Sequence, residues 1–200
     1  MGKVLKGLII FVIVFLVIFG GFAALGFYRM YEKEKTQAAI DKINSRKITL
    51  DDVMGKNLPP KPDQQLNDST IAGIDANNNA IRDDVELEIF ARYPNSAKIR
   101  AAMLQYAQAL QLELTEVFNS ETLAKILQRR GYSQSCIDEA ISEQKSYPKV
   151  DDDKVKEVEN LALNLDIRKK RQVEVFNKYM TAYSIPRGQQ CDINLSSLPN

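Results

Sequence analysis

Oxygen-bearing side chains recur at alternate places in the stretch Asp75–Glu86, which reads DANNNAIRDDVE. Asp75, Asn77 and Asn79 take the first, third and fifth places, Asp83 the ninth and Glu86 the twelfth. A hard cation such as calcium takes about six to eight oxygen ligands. A short loop that winds around an ion supplies them by turning alternate side chains inward. The main-chain carbonyl of Ile81, at the seventh place, fills the remaining position, and Glu86 brings two oxygens from the first turn of the helix that follows. An Asn-rich turn running into a helix N-terminus explains each residue type without a metal. It does not explain the spacing.

The stretch resembles the calcium loop of EF-hand proteins and the related Asp/Asn-rich loops of dockerin and thrombospondin type-3 repeats. The resemblance covers these twelve residues and the exiting helix. It implies Ca2+ held by Asp75, Asn77, Asn79, Ile81, Asp83 (directly or through water) and Glu86. Ala80 stands where the EF-hand loop carries the Gly of its sharp turn, and a residue with a Cβ gives up about 1 kcal/mol to adopt positive φ there. Arg82 stands where an EF-hand carries an aliphatic residue that pairs with a partner loop, and the aliphatic here is Ile81, one place earlier. Gly73 and the polar LNDSTIAG argue against an entering helix, and no second loop occurs elsewhere. The expectation is a lone loop–helix module. Two of its side-chain ligands are neutral amides, so its expected calcium affinity is weak, about 10⁻⁴ to 10⁻³ M.

The elements around this loop read as helices. Val85, Ile89 and Phe90 give a short apolar face ended by Pro94. Ser96 suits the cap of a helix in which Ile99, Met103, Tyr106, Leu110, Leu114 and Val117 fall at steps of three and four. ETLAKILQRRGY reads as a compact helix with Arg129 and Arg130 in its last turn and Gly131 just beyond. SQSCIDEAISEQ starts another. A last helix opens on Asp151, Asp152 and Asp153, whose acids suit its dipole, carries Val155, Val158, Leu161, Ala162 and Leu165, and ends at Pro186 and Gly188. The run Arg168, Lys169, Lys170 and Arg171 within it reads as a solvated face. No alternating strand pattern of useful length occurs. The fold class expected is all-α.

The chain opens MGKVLKGLIIFVIVFLVIFGGFAALGFYRM, with no charged residue from Gly7 to Tyr28. A helix of about 20 apolar residues spans a bilayer core. A cleaved signal peptide would carry an apolar region of only about 7–15 residues before a small-residue cleavage site. The longer run favours an uncleaved signal anchor. Lys3 and Lys6 precede it while Arg29, Lys33 and Lys35 follow, so the positive-inside count is near a tie. A tail of a few residues with two lysines suits the cytoplasm, which places the C-terminal domain in the periplasm or outside the cell. The expected organisation is a cytoplasmic tail (1–6), a transmembrane signal anchor (7–28), a juxtamembrane helix and Pro-containing linker (29–72), a helical domain (73–186) and a C-terminal tail (187–200).

Composition removes several function classes. The 27 Lys and Arg nearly balance 26 Asp and Glu. A clustered basic surface that would neutralise nucleic-acid phosphates is not advertised. The chain has no His, which excludes Ser-His-Asp and Cys-His chemistry and His-ligated zinc or haem. No phosphate-cradling Gly-rich loop occurs, and no carboxylate pair is singled out for hydrolysis. The expectation is a non-enzyme whose partners are the lipid bilayer and a membrane or envelope protein of unknown identity. Two readings follow: a membrane-anchored module stabilised by calcium, or a metal-free structural subunit of an envelope assembly. Cys136 and Cys191 have no metal-ligand or redox spacing. In a reducing compartment they would be idle thiols, and in an oxidising one a structural disulfide.

Overall fold

The computed structural model describes residues 2–141, 152–182 and 191–199. Every regular element among them is helical. Two compact units, Met1–Ala39 and Ile40–Asn200, divide the chain.

The first unit is formed by helix α1 (Gly2–Ser45), whose last turns pass into the second. The helix is long and apolar enough to cross a bilayer, with a mean hydropathy of 3.1 in its most apolar window. Phe11, Phe15, Phe19, Phe22 and Phe27 are all exposed along it. Apolar rings exposed along a helix of this length are suited to lipid rather than water. Tyr28 and Tyr31 follow the run and are also exposed, as rings at a headgroup boundary are.

The second unit is built on α5 (Ala97–Glu116). Ser96 caps it by accepting the Ile99 N–H at 3.2 Å, as its sequence suggests. The stripe from Met103 through Tyr106, Leu110 and Leu114 is buried. The helix is buried on its other faces too. Arg100, Gln105, Gln108, Gln111 and Glu113 lie inside; Arg100 donates to the Val53 and Tyr93 carbonyls, Gln111 to the Ala72 carbonyl, and Glu113 Oε2 accepts from Arg130. Around it pack α2 (Leu50–Val53), α4 (Asp83–Arg92), α6 (Ser120–Ile141), α7 (Asp152–Ala162) and α8 (Asp166–Tyr179). One apolar cluster joins Val53, Ile81, Val85, Ile89, Met103, Tyr106, Ile137 and Val158. A second joins Ile43, Leu112, Leu123, Ile126 and Val175.

Three elements differ from expectation. Gly131 does not end a helix, because α6 runs through it to Ile141. An interior Gly costs about 1 kcal/mol, and the buried stripe Leu123, Ile126, Leu127, Cys136 and Ile137 on both sides of it outweighs that. Arg129 and Arg130 face acids, Asp192 and Glu113, instead of a helix terminus. The last helix is two, α7 and α8, broken at Leu163–Leu165 where Leu165 is extended. Asp151, at its expected start, and Pro186 and Gly188, at its expected end, lie outside the described residues. The Pro-containing stretch expected to be a linker lies within the second unit. It forms the short helix α3 (Gln64–Asp68), and Asn67 is fully buried.

Cys136 and Cys191 form a disulfide, with Cα atoms 5.5 Å apart. It ties α6 to the C-terminal segment that holds the 3-10 turn Leu195–Ser197.

Candidate calcium-binding site

The loop from Asp75 to Glu86 is shaped by its own side chains. Asp75 accepts the Asn79 N–H through Oδ1 at 3.1 Å and the Ala80 N–H through Oδ2 at 2.9 Å. Asn77 Oδ1 accepts the Asn79 N–H at 3.3 Å, and Asn79 Oδ1 accepts the Ile81 N–H at 2.8 Å. Asp83 Oδ1 accepts the Ala76 N–H at 3.0 Å. These bonds wind the main chain into a turn in which Asn78 and Ala80 have left-handed φ of 58° and 63°. Ala80 thus takes the conformation for which Gly is the less strained residue. An oxygen that accepts one N–H keeps a second lone pair for another partner.

Asp83 and Glu86 open α4 and are 0% exposed. The helix dipole favours acids at this end, but both carboxylates are out of water. Glu86 Oε2 accepts the side-chain amides of Asn77 and Asn79, each at 3.0 Å. Glu86 Oε1 and Asp83 Oδ2 are buried with no hydrogen-bond partner among the described residues. A buried ionised carboxylate without a compensating cation costs several kcal/mol (about 3–5).

The electrostatics record this. Burial pushes Glu86 up to about 7, against the pull of the Asn77 and Asn79 amides, and the charges of Asp52 and Asp83 add to the rise. Burial raises Asp83 as well, and the Asp75 charge beside it contributes. Asp75 is raised by burial despite the Ala80 and Asn79 N–H groups. Asp75, Asp83 and Glu86, three of the loop's four carboxylates, are thus each harder to ionise than in water.

The fold therefore links Asp75, Asn77, Asn79, Asp83 and Glu86 through one hydrogen-bonded loop. Ile81 sends its side chain into the apolar core, which anchors the loop's seventh place. Among the described residues no three Asp, Glu, Cys or His side chains converge as a ready metal cluster. The loop's oxygen set depends on amides and a carbonyl as well as acids.

The roles of several residues at the loop and beside it were not legible in the sequence. Gln108 of α5 donates its amide to the Asn79 carbonyl at 2.6 Å. Arg82, expected as a departure from the EF-hand pattern, is 1% exposed. It donates to the Leu161 and Ala162 carbonyls at 2.8 and 3.0 Å and to Asp84 at 3.0 Å. It thereby fastens the loop to the end of α7. Gly73 lets it pass, since a Cβ there would lie 2.3 Å from Arg82 Cδ. Arg168, read as part of a solvated basic run, is 0% exposed and donates to the Asn67 and Ile71 carbonyls at 2.6 and 3.2 Å. Arg171 of the same run donates to the Leu114 and Val117 carbonyls, while Lys169 and Lys170 are exposed. One signal was available for Arg168: it lies seven residues before Val175, on the same helical face, and Val175 is buried.

No family model, no curated protein and no solved structure matches the chain.

Proposed function

We propose that the chain is a membrane-anchored calcium-binding module whose helical domain is stabilised by Ca2+ at Asp75–Glu86. The observation that carries the reading is the pair of buried oxygens, Glu86 Oε1 and Asp83 Oδ2, that have no partner among the described residues. A divalent cation would satisfy both and offset the repulsion of Asp83 by Asp75 and of Glu86 by Asp83. The ligands would be Asp75, Asn77, Asn79, the Ile81 carbonyl, Asp83 and Glu86. The module is a binding and stabilising element with no catalytic role. Its place is a single-pass anchor over 7–28, N-terminus in the cytoplasm, domain in the periplasm or outside the cell. The apolar run of α1 supports the anchor. The Cys136–Cys191 bridge supports an oxidising compartment for the domain, where a weak calcium loop would also meet enough ion to fill.

Calorimetry of the detergent-solubilised chain tests the metal site. Calcium heat that saturates, and that is lost in Asp75→Ala, supports it. Equal heats from both proteins would assign the signal to unspecific acidic surface. Protease accessibility of the domain in intact cells and in permeabilised ones tests the topology.

A further inference from the structure

A cavity of about 510 Å³ opens between the end of α1, α5, α6 and the C-terminal segment. Its charged lining is Lys47, Lys125, Arg129 and Asp192, with the polar groups of Gln128 and Tyr132. Cations exceed acids three to one in this lining. The acid is also committed: Asp192 Oδ2 accepts the Ile48 N–H at 2.9 Å and an Arg129 N–H at 2.8 Å. The neighbouring Cys191 is held by the bridge to Cys136, which fixes Asp192 and, through it, the Arg129 guanidinium.

Arg129 spends its Nη2 on Asp192 and on Gln108 Oε1. Its Nε is buried with no hydrogen-bond partner among the described residues. That buried N–H is costly, and it leaves the guanidinium's remaining donors as the ones that an acceptor in the cavity could use. Lys125 sits on the next inward turn of the same helix, four residues earlier, and Lys47 approaches from the α1–α2 connection. A guanidinium and two lysines lining one cavity, with Lys125 Nζ spending one of its three donors on Gln128 Oε1 at 3.0 Å, form a donor set that suits a carboxylate or phosphate oxyanion. The cavity's volume suits a small molecule rather than a folded partner.

We propose that this cavity is a binding site for a small oxyanion, a carboxylate or a phosphate compound, held by Arg129, Lys125 and Lys47. The site shares no ligand with the calcium loop, although Gln108 touches both, its amide on the Asn79 carbonyl and its Oε1 on Arg129. Its test is run in calcium-free chloride buffer at fixed ionic strength, on the full chain in detergent. Inorganic phosphate and succinate are the probes, and succinamide is the uncharged counterpart of succinate. Calorimetry should show one saturable event for phosphate, succinate or both, with a dissociation constant at or below about 1 mM, and none for succinamide. Which probe binds tells a phosphate ligand from a carboxylate one. Lys47→Glu and Lys125→Glu should each weaken binding by about tenfold, with the helical circular dichroism unchanged. Lys170→Glu, on the exposed side of α8, should leave it unaltered. Arg129→Gln should abolish it. Absence of saturable heat from both anions, equal binding of succinamide, or lysine variants that bind as the parent does would each overturn the proposal.

Discussion

Asn79 donates its side-chain amide to Glu86 Oε2 at 3.0 Å across the width of the loop, while its own Oδ1 accepts the Ile81 N–H. The fifth and twelfth places of the loop are thus already joined, and among the described residues the Glu86 side chain has only Asn77 and Asn79 as hydrogen-bond partners, both on Oε2. Neutralising Glu86 without changing its shape should then help the metal-free protein and harm the loaded one. Glu86→Gln is expected to raise the melting temperature in chelator and to remove the response to calcium. A variant that melts lower in chelator would mean that the Glu86 charge is compensated within the protein.

The pH dependence follows from the same residue. A carboxylate raised in the folded state to about 7, from an ordinary 4.5, adds stability below the lower value, and that stability is lost as pH rises through the upper one. Asp75 and Asp83 shift in the same direction. Calcium-free protein should therefore melt higher at about pH 5 than at about pH 8. Calcium needs the ionised ligand, so its affinity should fall about tenfold per pH unit below 7, with proton release on binding. Thermal scans and calorimetry in two buffers of different ionisation heat read both effects. A melting temperature flat over this range would remove Glu86 as a titrating core group.

Ala80 has φ +63°. Ala80→Gly should relieve the turn by about 1 kcal/mol, tightening calcium binding up to about fivefold where the strain is confined to the loaded form. Where the strain is common to both forms, the gain appears as melting temperature instead. Weaker binding together with a lower melting temperature would contradict the strained turn.

The Cys136–Cys191 bridge spans a sequence separation of 55, and closing a loop of that length stabilises by about 4 kcal/mol on chain entropy, with real bridges often giving less. Cys136→Ser with Cys191→Ser should lower the melting temperature by several degrees. Thiol labelling of the unreduced, denatured protein should find no free thiol. Two labelled cysteines would show that the domain matures in a reducing compartment.

The helical class was legible because apolar steps of three and four mark α5 and α7, and Ser96 marks a cap. The loop's ligands were legible because their spacing is local. What escaped was long-range. Gly131 reads as a stop until α6 is seen buried on both sides of it. Arg168 reads as solvated because a run of four cations hides the face on which it lies, and its partners Asn67 and Ile71 are about a hundred residues away in sequence, the bonds spanning 101 and 97 positions. Arg82 reads as a defect in the loop, yet its guanidinium reaches carbonyls 79 and 80 residues on. No local pattern announces such a contact.

The most direct test is the thermal unfolding of the purified chain in detergent, in chelator and in calcium. At a free calcium of about 5 mM and the affinity expected, linkage gives about 1–2 kcal/mol, or a rise of roughly 2–8 °C in melting temperature for a domain of this size. Asp75→Ala and Glu86→Ala should erase the rise, and magnesium at the same concentration should give far less of it. An unfolding curve that does not move with calcium at several times that concentration would contradict a metal at Asp75–Glu86, and would leave the loop as a turn that seats α4.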